Sequence, residues 1–502
     1  MKKLLLFILT LFCIVSHGQQ GVPFKINKQF YIKGASELIG NNILSVHKNK
    51  PYNQKTITND LLELKYIDID NNKTTFSSSE ANLSNHSKDR NIKYAGLYWS
   101  AIYKYEKGFK KIEDERFYVY KGNDKRDPTI NEILFKTPND SEYKAVKGQV
   151  IYDSYISEEF EDTKPYVCFA DVTHLLKNNK SINGTYTVGN IKATQGFISG
   201  GCAGGWLLYV VYESEEETPK YFTTYNGFES VNKQTIDIDF QSFKTTEAGD
   251  IKTSLCLGTL EGDQKLKTDM CLIFNPTSKT YIPLYNKERP AKNFFNSKIT
   301  SYDTLYTDRN PNSSNTLGFD VLKINIPNKN NTIIANNQTG TTIRLKTKAD
   351  GFNMFFVAFE TEISPIFYES KTNTETILVV ENTNNKLEEN IAENTHVETK
   401  DITTVDNSVL EKMNKIKSSS IPNLKRGYYL ITNVFSVKKN ALKWIAFLKE
   451  RNFNARSYIN PENGWTYIYV EDNENPNIII ETKKRLLSLK EFKDLWILKI
   501  NY

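Results

Sequence analysis

Between Tyr368 and Tyr428 the chain carries no aromatic residue, although aromatics make up 12% of its 502 residues. The segment is rich in Asn, Thr, Glu, Lys and Ser instead. Such a stretch cannot bury enough apolar surface to offset the entropy of ordering it. Residues 370–423 are therefore expected to be a flexible linker, with a short helix near Ser408–Lys417. The linker separates a long segment from a short one, and each must build its own core.

The long segment reads as β-structure. Short apolar or alternating runs recur, among them Ala95–Trp99, Phe117–Tyr120, Tyr166–Phe169, Thr341–Leu345 and Phe352–Phe359, separated by Gly, Asn, Asp and Pro. Branched and aromatic residues suit a pleated, half-buried surface. Trp206-Leu207-Leu208-Tyr209-Val210-Val211-Tyr212 is almost continuously apolar, as a strand covered on both faces should be. Many short strands with frequent turn signals point to β-sandwich architecture. Glu213 and the run Glu215-Glu216-Glu217 interrupt the pattern. The expectation is one sandwich over residues 19–213 and a second over 214–369.

The chain begins like a secretory signal. Lys2 and Lys3 precede the apolar run Leu4–Val15, which falls short of the roughly 18 residues of a membrane helix. Ser16-His17-Gly18 supplies small residues for cleavage after Gly18, so residues 1–18 are expected to be a signal peptide. A lipoprotein anchored through Cys13 is the rival, disfavoured by the bulk of Phe12. No later segment reaches membrane-helix length, so no transmembrane segment is expected. Export would leave Cys168, Cys202, Cys256 and Cys271, an even number that suggests disulfides. Three pairings are open. The apolar runs Thr253–Leu260 and Met270–Phe274 flank a polar turn, so a hairpin would join Cys256 to Cys271 and leave Cys168 for Cys202.

Residues 424–502 recover a strong pattern. Tyr428–Phe435 reads as a strand, and Asn440–Arg451 as a helix with Ala441, Ile445 and Leu448 along one stripe. Phe453–Tyr458 and Gly464–Val470 read as strands around an Asn-Pro-Glu-Asn-Gly turn. Ile478–Leu489 is a second helix and Leu495–Ile500 a closing strand. The order β-α-β-β-α-β implies a four-stranded antiparallel sheet with both helices on one face. The whole is then multidomain: an all-β, sandwich-type N-terminal region followed by a C-terminal α+β domain. Strand residues alternate faces. Ile468 and Val470 suit the helix side, which sends Trp465, Tyr467 and Tyr469 to the open side, with Tyr429 and Ile431 beside them. Flat rings can stack on the C–H faces of sugars.

The C-terminal pattern resembles the sporulation-related repeat (SPOR) domain, a peptidoglycan-binding module. The likeness runs over about Arg426–Tyr502. It is carried by Tyr428-Tyr429-Leu430-Ile431-Thr432-Asn433-Val434-Phe435, by Asn440-Ala441 opening the helix, and by Leu448, Phe453, Ala455 and the Tyr-rich third strand. The chain has Ile431 where that family often has Gln, Asn433 where it has Gly, and Val470-Glu471-Asp472 where it has Val-Gly-x-Phe. The resemblance implies peptidoglycan as partner, with glycan strands stripped of stem peptides preferred; together with the aromatic face and the local charge it makes Tyr429, Ile431, Asn433, Arg456, Trp465, Tyr467 and Tyr469 the expected glycan surface. The long segment is similar to a β-rich domain of large Bacteroidota surface proteins. Tyr94-Ala95-Gly96-Leu97-Tyr98-Trp99, Phe169-Ala170-Asp171-Val172-Thr173 and Gly204–Glu213 carry that likeness, with Tyr225-Asn226-Gly227-Phe228, Glu261-Gly262-Asp263, Asn293–Ser297 and Asn315–Asp320. It implies no activity.

Charge agrees with a wall-binding module. Residues 424–502 hold 14 Lys and Arg against 8 Asp and Glu, an excess of +6 that equals the net charge of the whole chain. A basic module is drawn to anionic polymer, with Arg456 and Lys483-Lys484-Arg485 as candidate contacts. Bases also stack on aromatic sheets, but an exported chain is not expected to meet nucleic acid.

Signals for catalysis are poor. His47, His86, His174 and His396 show no metal-ligand spacing. Gly200-Gly201-Cys202-Ala203-Gly204-Gly205 resembles a nucleophile loop, but a structural cysteine in a Gly-rich turn is the simpler reading. Asp68-Ile69-Asp70-Asn71-Asn72 starts like a calcium loop, then has Lys73 at the sharp-turn glycine and Ser79 at the bidentate Glu. Asp303-Thr304-Leu305 fits a short O-glycosylation pattern. The expectation is a non-catalytic envelope protein, periplasmic or at the cell surface, without cofactor or metal. The alternatives are an adhesin or a component of an export or gliding assembly, docking outer-membrane or surface proteins, and a hydrolase of wall glycan.

Overall fold

The computed structural model describes residues 21–55, 58–84, 91–113, 117–155, 157–177, 182–348, 351–372, 418–419, 427–435, 438–451, 453, 455–460, 465–473, 476–487, 492 and 495–500. The signal segment 1–18, His86, His396 and the expected helix Ser408–Lys417 lie outside them. The chain divides into two compact units, Met1–Lys386 and Leu387–Tyr502. The protein is mostly β, in several sheets.

The first unit is organised by one long strand. Gly21–Asn42 runs for 22 residues. Its first half pairs antiparallel with Pro219–Val231, from Gly21 opposite Glu229 to Lys33 opposite Pro219. Its second half pairs with Gly204–Glu213, from Gly34 opposite Glu213 to Asn42 opposite Gly205. A strand that changes partners midway turns the corner between two sheets. One inner layer continues from Gly204–Glu213 through Asn91–Ile102 and Pro165–Asp171 to Gln149–Asp153. The other continues from Pro219–Val231 through Phe352–Glu362 and Thr253–Gly262 to Gly318–Asn325.

The two inner layers meet face to face. Phe356 lies with its ring centroid 4.8 Å from Tyr98 and 5.7 Å from Tyr209. The approach is close enough to require glycine: a β-carbon on Gly258 would fall 2.8 Å from Leu207 Cδ2. Each inner layer is covered on its other side too. Trp206 Nε1 donates to Ser79 Oγ at 2.9 Å, and Ser79 belongs to an outer five-stranded sheet. On the opposite flank Phe359 stacks on Phe240 at 4.4 Å, in an outer four-stranded sheet. Two-sided cover explains why Trp206–Tyr212 has almost no polar alternation.

This arrangement corrects the expected split into sandwiches at residues 213 and 214. Both flanking strands pair with Gly21–Asn42, and residues 19–369 fall within one compact unit. Exchange also reaches the outer sheet, where Arg309 pairs with Ala81. The Glu-rich stretch at 213–217 marks a turn between layers. Its acidic side chains face solvent and bind lysines, as Glu215 does Lys33 at 3.1 Å.

The second unit contains, in chain order, strand Gly427–Phe435, helix Lys438–Glu450, strands Arg456–Ile459 and Thr466–Asn473, helix Pro476–Leu487 and strand Trp496–Ile500. Pro476 opens its helix where a missing N–H costs nothing. Leu430, Ile468 and Val470 pack with Ala441, Leu448 and Leu486 of the helices. The sheet has five strands rather than four, because Ser418–Ser419 adds parallel beside Trp496–Ile500. Two residues of the expected linker are thus paired into the sheet.

Candidate binding face

The face opposite the helices carries the aromatic residues. On Thr466–Asn473, Thr466, Ile468 and Val470 are buried while Tyr467 and Tyr469 are half-buried. Tyr458 stacks on Tyr467 at 5.0 Å, with rings 19° apart. Trp496 approaches the edge of Tyr467 at 6.3 Å. Tyr429 meets Tyr469 edge to face at 5.2 Å. Trp465, just before the strand, is 47% exposed, and its carbonyl accepts the Asn460 N–H at 2.9 Å, which closes the hairpin. Trp496 is 39% exposed.

Arg456 flanks this group. Its guanidinium lies 5.0 Å from the Tyr469 ring centroid and pairs with Asp472. Burial pushes the phenols of Tyr458 and Tyr469 above their ordinary range, so both stay neutral hydrogen-bonding groups at any physiological pH.

Two expected platform residues are not available. Tyr429 is 2% exposed and Ile431 is fully buried. They pack with Leu498 and Ile500 into a small second core on the aromatic side. Register shifts on either side of Ile431 leave Thr432 facing the helices, where it accepts from Trp444 Nε1 at 3.1 Å. Asn433 is half-buried, and its Oδ1 has no hydrogen-bond partner among the described residues. The accessible surface is therefore Trp465, Tyr467, Tyr469 and Arg456, joined by Trp496. The sequence reading missed Trp496, although its two-residue alternation with Leu498 and Ile500 placed it on that face.

The cysteines are not paired. Cys168, Cys202, Cys256 and Cys271 are all free and buried. The expected hairpin fails because its two runs belong to different layers. Thr253–Gly262 pairs with Gly318–Asn325 and Phe352–Glu362 in an inner layer. Met270–Asn275 pairs with Gly340–Lys346 in an outer sheet. Cys168 and Cys202 instead lie against the carbonyls of Ile130 and Gly196, at 3.7 and 3.8 Å. Burial pushes all four thiols far up, the reverse of what a nucleophilic Cys202 requires. Among the described residues no group of three or more His, Cys, Asp or Glu is placed to hold a metal ion. No helix among them is long and apolar enough to cross a membrane.

No family model matches the chain, and no curated protein matches it. Among solved structures, BuGH86wt in complex with neoagarooctaose is similar over 55% of this chain and 34% of that one, at 12% identity and a TM-score of 0.17. A variant of that protein with the same ligand is similar over 55% and 33%, at 11% identity and a TM-score of 0.17. The chain spans about a third of the length of these structures. Likeness this slight assigns neither fold nor activity.

Proposed function

We propose that the chain is a non-catalytic cell-envelope protein whose C-terminal unit binds the glycan strands of peptidoglycan. The observation that carries this reading is the cluster of accessible rings, Trp465, Tyr467, Tyr469 and Trp496, on one face of a sheet whose other face is closed by helices. Tyr467 is held by stacking on Tyr458 and Tyr469 by the edge of Tyr429, and rings so fixed offer flat apolar surface at little entropic cost. Arg456 at the rim and the local charge excess favour an anionic polymer. The element order and the residues shared with the SPOR pattern support the choice of wall glycan. The charged start and apolar run of residues 2–15 support export to the periplasm or the cell surface.

Co-sedimentation of the full chain with purified sacculi, intact and stripped of stem peptides, tests the proposal. Retention is expected, stronger on stripped glycan, and reduced tenfold or more by Trp465→Ala with Tyr467→Ala. Absence of retention on both preparations would sink it. Retention unchanged in the double variant would move the site off this face.

A further inference from the structure

The stretch that begins like a calcium loop has another use. Asp68 pairs with Lys48 at 2.8 Å and accepts from Ser78 Oγ at 3.2 Å. Asp70 accepts from the hydroxyls of Tyr143, Thr75 and Ser78 at 2.5, 3.0 and 3.0 Å, and from the Asn72 N–H at 3.2 Å. From the other side Asn190 takes the Phe76 N–H at 2.8 Å and donates to the Thr74 carbonyl at 3.0 Å. All this bracing presents one ring. Phe76 is 42% exposed, with its centroid 5.1 Å from Tyr66. Holding an aromatic ring out of the core forgoes about 1–2 kcal/mol of burial.

Phe76 and Tyr66 line a cleft of about 660 Å³, within the range of about 300–1,000 Å³ common to small-ligand sites. Tyr66 is anchored at its hydroxyl, which donates to the Ala193 carbonyl and accepts the Ala193 N–H, both at 2.8 Å. Four lysines line the cleft against three acids. Two of the acids are engaged within the protein. Asp127 holds Lys192 at 2.5 Å, and Glu106 accepts from the Tyr103 hydroxyl and the Asp127 N–H. Lys65 and Lys107 are exposed and form no ion pair among the described residues, and the Lys107 ammonium lies 5.4 Å from the Phe109 ring centroid. A braced aromatic ring beside two ammonium groups that no carboxylate engages among the described residues matches a sugar with an apolar C–H face and a carboxylate.

We propose that this cleft is a carbohydrate site, independent of the C-terminal face, that takes a uronate-type acidic sugar. The sugar lies on Phe76 and turns its carboxylate to Lys65 and Lys107. Calorimetric titration of the full chain with trigalacturonate and with neutral cellotriose tests it. Trigalacturonate should bind at least tenfold more tightly than cellotriose and weaken with added salt. Phe76→Ala should lower that affinity tenfold or more. The pair Lys65→Gln and Lys107→Gln should abolish the preference for the acid, with thermal melting confirming that both variants fold. Trp465→Ala should change nothing. No binding, equal affinity for both sugars, indifference to Phe76→Ala, or loss of binding in Trp465→Ala would each overturn the inference. Trigalacturonate binding without sacculus retention would overturn the C-terminal proposal alone.

Discussion

Trp206 lies within a β-sheet and Trp465 at the entry to one, and the first is fully buried while the second is 47% exposed. The difference is one of layers. Gly204–Glu213 has a sheet on each side, and every residue before Glu213 is buried. Thr466–Asn473 has helices on one side only, and its residues alternate between buried and half-buried as far as Glu471. A strand covered twice gives both faces to stability. A strand covered once leaves a face uncovered, and the rings collect there. The polar groups differ in the same way. The first unit buries a complete ion pair, Arg289 with Asp320, at 0% exposure on both sides. In the second, Arg456 stays 42% exposed beside Asp472.

The sharpest break of this comparison is Trp206→Ala. Removing the ring leaves a cavity between layers and costs about 3–5 kcal/mol. Ser79 Oγ then loses its donor, which adds roughly 1 kcal/mol. Against a total stability of about 5–15 kcal/mol, urea unfolding should show the first unit lost or nearly so. Arg289→Met comes next. The guanidinium donates to Thr300, to the carbonyls of Phe294, Lys298 and Val321, and to Asp320. Asp320 in turn gathers the N–H groups of Asn296, Ser297 and Lys298. Stranding that carboxylate should cost about 3–5 kcal/mol. A urea midpoint within error of the parent would show that the backbone N–H groups alone satisfy Asp320.

The two units were unequally legible in sequence. In the second, single-sided burial writes itself into alternation and helical stripes. Ala441, Ile445 and Leu448 therefore located a helix, and Ile468 and Val470 located the covered face. In the first, continuous apolar runs revealed that strands are buried twice but not against which sheets. Nothing around Glu213 distinguishes a turn between layers from a domain boundary. Thr253–Leu260 and Met270–Phe274 have the spacing of a hairpin, and only long-range pairing assigns them to different sheets. The candidate binding face was legible in its exposed half, Trp465, Tyr467 and Tyr469. Its buried half was not, because Tyr429 and Ile431 share the face while packing against Leu498 and Ile500. The cleft at Phe76 left only a misleading trace, a broken calcium-loop pattern whose carboxylates serve as braces.

A smaller effect separates the units by pH. Glu229 is 3% exposed, and burial pushes its carboxyl up to about 7, opposed by a hydrogen bond from the Phe24 backbone. A carboxyl whose pKa is higher folded than unfolded is held more tightly as the acid in the folded state. Stability is then greatest below the unfolded value near 4.5 and falls as pH rises to about 7, by up to about 3 kcal/mol. Urea midpoints of the first unit should decline from pH 5 to pH 8, and Glu229→Gln should flatten that decline while raising stability at pH 8. An unchanged slope in the variant would assign the pH dependence to another group, with Asp269, also raised to about 7 by burial, next to test.

The smallest expected effect on folding is Trp465→Ala, the counterpart of Trp206→Ala. The ring is half-exposed at the hairpin end, and its backbone carbonyl, which closes the hairpin on the Asn460 N–H, survives the substitution. The change should cost less than about 1 kcal/mol, as for a half-exposed surface site. Its effect on glycan retention should be far larger, because an aromatic anchor contributes to binding through area that folding does not use. Thermal melting and sacculus co-sedimentation on the same variant separate the two quantities. A variant that melts like the parent and no longer sediments identifies Trp465 as part of the surface the fold leaves uncovered. A variant that loses several kcal/mol would place the ring in the packing of the unit, and the contrast between the two sheets would fail at the residue that displays it most plainly.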